Sequence, residues 1–231
     1  MASRKEQKER LKAERLERER QAQSADRRKR LVGYGVGGVL AIALVVGLGI
    51  LALNGVLGGS DSSGSTVSQG EYPEGSVPAV ETADLQEAAM VAGCKLEETS
   101  EEGSTHVSTD TDVQYEGNPP TSGDHYAVPA EDGAYTETPQ TETLVHALEH
   151  GRIFIQFDPT VPDSVKGDLK ALFDEDPYHM IIAPNDTDMP YEVAATTWTQ
   201  TLGCTKMNDK VFDAIRAFRD EYRDQGPEFV P

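Results

Sequence analysis

The chain has 231 residues, of which 40 are acidic, 21 basic and two cysteine, giving a formal net charge of −19. The charge is uneven: residues 1–30 hold 12 Lys/Arg against 6 Asp/Glu, and everything beyond residue 53 holds 9 against 34. That acidic excess argues against nucleic acid or anionic lipid as a partner of the larger part.

In residues 1–30 Glu alternates with Lys/Arg at helical spacing, as in Glu6 with Arg10 and Glu14 with Arg18, and there is almost no apolar stripe. The segment reads as a charged cytoplasmic tail. Residues 31–53, "LVGYGVGGVLAIALVVGLGILAL", carry no charge. At about 1.5 Å per residue they make roughly 34 Å of helix, enough to cross a hydrocarbon core of about 30 Å. Arg27, Arg28, Lys29 and Arg30 abut this span, so the positive-inside rule leaves the N-terminus in the cytoplasm and the rest outside. A single-pass protein of the cell membrane is expected, and the following "NGVLGGS" lacks the small-residue pattern of a signal-peptide cleavage site. Residues 54–79, rich in Gly and Ser, read as a flexible tether, and 80–231 as one extracytoplasmic domain with a single core.

Inside that domain "DLQEAAMVAG" reads as a short helix ending before Cys94. Cys94 and Cys204 both fall outside the membrane, where a disulfide between them is expected. It would close a loop of about a hundred residues, worth about 4–5 kcal/mol in the chain-entropy model. Turn formers dominate 111–139, so a long loop is expected there. "TLVHALEH" (143–150) reads as a helix capped by Gly151, 152–157 as a strand, 163–176 as a helix and 179–184 as a strand, a β-α-β order. A strand over 191–198 and an amphipathic helix over 208–226 follow, with Asn208 or Asp209 near its cap and Gly226 past its end. The fold class is α+β or α/β, a mixed sheet with packed helices.

All five histidines, His106, His125, His146, His150 and His179, belong to the outer domain. On a helix His146 and His150 share a face about 6 Å apart along the axis and can converge on one ion at about 2.0–2.1 Å. His125, in the constrained turn "NPPTSGDHY", is the natural third ligand, and His106 a fourth. Met180 and Met189 offer soft sulfur, which suits copper, while histidines alone leave zinc open. Set against this, each histidine reads equally as a polar loop residue with its own hydrogen bonds, and Met180 as core. "HALEH" also matches H-x-x-E-H, in which two histidines hold zinc and Glu149 activates water; that reading lacks a downstream acidic ligand, for which Glu192, Glu221 and Glu228 are candidates. Ser122 reads as a turn residue, and no nucleophile elbow, phosphate loop or dinucleotide fingerprint occurs.

On "THV" at 105–107, "NPPTSGDHY" at 118–126, "LVHALEHG" at 144–151, "MP" at 189–190, "PE" at 227–228 and "GC" at 93–94, the chain resembles the membrane-anchored bacterial domain of unknown function family three-one-zero-five. The likeness spans roughly 90–228. Where the family pattern reads PPTSGPH this chain has Asp124, and where the family has a glycine after the tryptophan it has Thr199. The resemblance implies that His106, His125, His146, Glu149 and His150 occupy shared motif positions, and it names no ligand.

Three functions follow. The first is a membrane-tethered extracytoplasmic domain that binds copper or zinc through His125, His146 and His150, with His106 and Met189 as additional ligands. The second is a noncatalytic envelope protein whose histidines form a structural network and whose surface meets a protein partner. The third is a zinc hydrolase with Glu149 as its base.

Overall fold

The computed structural model describes residues 70–228 and 230. The expected cytoplasmic tail, membrane span and first part of the tether lie outside the described residues, and among the described residues no helix is long and apolar enough to cross a membrane. In chain order the elements are helix α1 (Leu85–Ala92), strands β1 (Cys94–Glu98), β2 (His106–Val107), β3 (His125–Tyr126) and β4 (Gly133–Ala134), helix α2 (Thr141–Glu149), strand β5 (Ile153–Phe157), helix α3 (Asp163–Glu175), strands β6 (Met180–Pro184), β7 (Val193–Thr197) and β8 (Gln200–Cys204), and helix α4 (Lys210–Tyr222).

Six strands form a mixed sheet in the order β1-β8-β7-β5-β6-β4. β5, β6 and β4 run parallel, as the β5-α3-β6 crossover requires, and β7, β8 and β1 are joined antiparallel. Central strands such as "IFIQF" and "MIIAP" are buried on both faces, which explains their unbroken apolar runs. Ile153, Ile155, Met180, Ile182, Val193 and Leu202 pack with α1, α3 and α4. Phe154, Ile181, Ala183 and Trp198, on the opposite face, pack with Leu144, Val145, Ala147 and Leu148 of α2. The fold is α+β, and α2 covers a sheet face of its own.

The expected disulfide is present: Cys94 and Cys204 are cross-strand partners on β1 and β8, 110 residues apart, with Cα atoms 4.3 Å apart. It fastens the edge strand β1, whose "CKLEE" lacks the apolar alternation that marks a strand in sequence.

Two expectations are corrected. The last helix stops at Tyr222, and Asp224 takes φ 65 as the chain turns back, so Gly226 is no helix cap. At its start Asp209 holds the cap position while the Oδ1 of Asn208 accepts the Lys210 amide. Residues 70–79, read from composition as tether, lie along the domain: Tyr72 donates its hydroxyl to the Tyr135 carbonyl, the Ser76 amide donates to Asp168, and Arg216 donates to the Pro78 carbonyl.

Candidate metal centre

The centre is assembled from three pieces of chain. α2 ends in a Schellman arrangement in which the Gly151 amide donates to the Leu148 carbonyl and the Arg152 amide to the Ala147 carbonyl. Gly151 supplies the left-handed φ of 76 that this ending needs. The apolar side of α2 faces the sheet, which leaves His146 and Glu149 toward the loop that carries β2 and β3.

In that loop β2 and β3 pair in parallel, with His106 directly opposite His125. The pairing is held by small polar contacts. The His125 amide donates to the Thr105 carbonyl and the Gly123 amide to the Gly103 carbonyl. The Oδ1 of Asp124 accepts the Thr105 amide at 3.0 Å, so Asp124 builds the turn. Ser122, buried, accepts the amide of Glu102, 20 residues earlier in the chain, and so ties the turn to the segment that precedes β2.

His125 is fully buried, its ring edge-on to Trp198. Its Nδ1 donates to the Gly123 carbonyl at 2.8 Å, because a carbonyl can only accept. His146 is fixed likewise, its Nδ1 donating to the Tyr126 carbonyl at 2.6 Å. In both rings the proton of the neutral form therefore sits on Nδ1, and Nε2 presents a lone pair. The ligand atoms of His106, His125, His146 and Glu149 all lie within 4.8 Å of one another. The Oε2 of Glu149 is 3.1 Å from His125 Nε2 and 3.9 Å from His106 Nε2.

The 3.1 Å approach is within ion-pair range, yet His125 Nε2 has no hydrogen-bond partner. The two observations agree if the carboxylate stands off the line along which a ring N–H would point. A buried lone pair facing a carboxylate oxygen is costly unless a positive charge lies between them.

Burial holds the His146 imidazole down at about 4, the bond to the Tyr126 carbonyl pulling the other way and the neighbouring histidines adding to the drop. His146 is therefore neutral near pH 7, with its lone pair available. His150 is lowered as well, chiefly by burial, with Glu228 opposing and Arg152 assisting.

The candidate ligands do not form the expected trio. His106, His125 and His146 converge with Glu149, while His150 turns to a second group with His146 and Glu228. Met189 lies buried in the 185–191 loop, where its amide donates to Asn185. Met180 is core on the sheet face opposite α2, so its sulfur is directed away from the histidines. His179 stacks on Tyr178 and bonds Asp224 at 2.6 Å, apart from both groups. Sequence reasoning gave Glu149 only the part of a base; its pairing with His125 emerges from the β3 register, for which the chain carries no local signal.

A family model described as "Protein of unknown function (DUF3105)" matches residues 106–230, so the match begins at His106 and takes in both histidine groups. No curated protein and no solved structure matches the chain.

Proposed function

The chain belongs to the DUF3105 family, proteins of unknown function, and from its own residues we propose that the domain binds one transition-metal ion, zinc or copper(II), through His106, His125, His146 and Glu149. The observation that carries this is the His125–Glu149 contact: two acceptor atoms 3.1 Å apart in a buried setting, the His125 ring being oriented by its Nδ1 bond to the Gly123 carbonyl. Tetrahedral ligands at about 2.0–2.1 Å from zinc stand about 3.3 Å from one another, close to this separation. Three imidazoles and a carboxylate, with no thiolate or thioether among them, suit zinc or copper(II) better than copper(I). The Nδ1 bonds of His125 and His146 to carbonyls are the outer contacts that metal-bound histidines usually make.

In this proposal residues 31–53 hold the domain at the outer face of the cell membrane, which the Cys94–Cys204 disulfide supports as a mark of an oxidising compartment. The role is metal handling or sensing at that surface.

A second reading is favoured by the same contact: His125 and Glu149 share a proton and act as a structural network without metal. Zinc titration calorimetry of the full chain separates the two. Metal binding gives one equivalent in the wild type, weakened by about tenfold or more in both His125→Asn and Glu149→Gln; a structural network gives no uptake in any of them. Glu149 faces His125 and His106, a placement that favours a ligand over the free base a hydrolase needs.

A further inference from the structure

Building on the metal-binding reading, we infer that the domain has a second, outer cation position formed by His146, His150 and Glu228, which exchanges a single ion with the inner position through their shared ligand His146. The Nε2 atoms of His146 and His150 are 3.0 Å apart, and His150 Nε2 is 3.3 Å from the Oε2 of Glu228. Both distances are close to the edge of a tetrahedral zinc shell, about 3.3 Å.

The third ligand is brought in by chain geometry. After α4 the chain turns back across the end of α2, where the Asp224 amide donates to the Gly151 carbonyl and the Glu228 amide to the Glu149 carbonyl. Gly226 makes this possible: a Cβ there would stand 2.1 Å from the Glu149 carbonyl oxygen and 2.3 Å from the Gly151 nitrogen. Arg152 ties down the segment beyond by donating to the Val230 carbonyl. Glu228 is thus held beside His150 while its side chain stays 53% exposed, against 0% for His125.

His146 determines how the two positions relate. Its Nδ1 is committed to the Tyr126 carbonyl, so Nε2 is its only ligand atom, and it belongs to both groups. One ion therefore occupies one position at a time. The outer set holds a histidine pair and a solvent-exposed carboxylate, the inner set two further histidines and the more buried Glu149. Glu228, 53% exposed, is the most open of these ligands, with His106 next at 47%, and an ion captured by Glu228 passes inward by exchanging it and His150 for His125, His106 and Glu149 around an unmoved His146.

The test uses the full chain and zinc. Wild type saturates at one equivalent at any excess. His125→Asn still takes up one equivalent, more weakly, and adding Glu228→Gln to it removes that zinc. In the wild-type background Glu228→Gln, a change at an exposed side chain, slows zinc release to excess chelator by about tenfold in stopped flow, the scale on which one contact at a metal site is felt. A second tight equivalent in wild type, or His125→Asn zinc that is indifferent to Glu228, overturns the outer position and leaves the inner site standing. Wild-type release matched by Glu228→Gln does the same. A wild type that takes up no zinc overturns both.

Discussion

His125 and Glu149 meet with Nε2 and Oε2 3.1 Å apart, inside a domain where the other ring nitrogen of His125 is already committed to the Gly123 carbonyl. Two acceptors are pressed together, and the substitution that relieves the conflict is also the one that removes a ligand.

Glu149→Gln is therefore expected to act in opposite directions on the two states. Replacing the charged carboxylate by a neutral carboxamide removes the repulsion between the two acceptors, so metal-free thermal stability holds or rises by a few tenths to about 1 kcal/mol. Zinc affinity falls by about tenfold or more. Thermal melts with and without zinc check both signs together.

His146 links folding to pH. Its folded value, about 4, lies below the ordinary 6.5. The unfolded chain takes up the proton first as pH falls, so stability is lost from about pH 6.5 down to about 4 and the loss then levels off. The loss from this group is on the order of 2–3 kcal/mol. Denaturant titrations of the metal-free protein across that window should show the slope, and His146→Gln should flatten it.

Arg216 anchors the start of the domain. Its guanidinium grips Glu175 at 2.6 and 2.8 Å, Asp213 at 2.9 Å and the Pro78 carbonyl at 3.0 Å, and Asp213 in turn accepts the Glu81 and Thr82 amides. Arg216→Met leaves two carboxylates without their cation, one of them buried, and is expected to cost about 3–5 kcal/mol. The Arg216 hydrogen bonds hold Glu175 below the usual carboxylate range. That contribution is complete above the ordinary carboxylate value and fades as pH drops through the lowered one. Arg216→Met should lose this acid-side decline in chemical denaturation, and limited proteolysis should cut it first near residues 76–82.

Thr199, in the turn between β7 and β8, has φ 60, a conformation that a β-branched residue adopts at a cost of about 1–2 kcal/mol. Its amide and carbonyl are both used, donating to the Thr121 carbonyl and accepting the Thr99 amide, so the turn cannot relax to another shape. Thr199→Gly keeps those bonds, relieves the strain and should raise stability by about 0.5–1 kcal/mol after the flexibility of glycine is discounted. Equilibrium unfolding of the single variant measures it.

How far these features were legible in the sequence depends on whether they are local. α2, β5, α3 and β6 announce themselves through period and capping, and Gly151 marks the end of α2. β2, β3 and β4 are two residues long and exist only because partners lie beside them. The meeting of His106 with His125 is thus a matter of register, invisible to periodicity. "HALEH" suggested a metal pair on one helical face, and His146 and His150 do touch. The His125–Glu149 approach and the return of Glu228 needed the loop pairing and the Gly226 crossing, both set by contacts between residues far apart in the chain.

X-ray absorption at the zinc edge reads directly what surrounds the ion. The full chain loaded with one equivalent of zinc should show a four-coordinate shell of nitrogen and oxygen at about 2.0–2.1 Å, with outer-shell scattering from about three imidazoles. His125→Asn should remove part of that imidazole signal. A shell of six oxygens without imidazole scattering, or zinc washed out by a desalting step, would contradict the site.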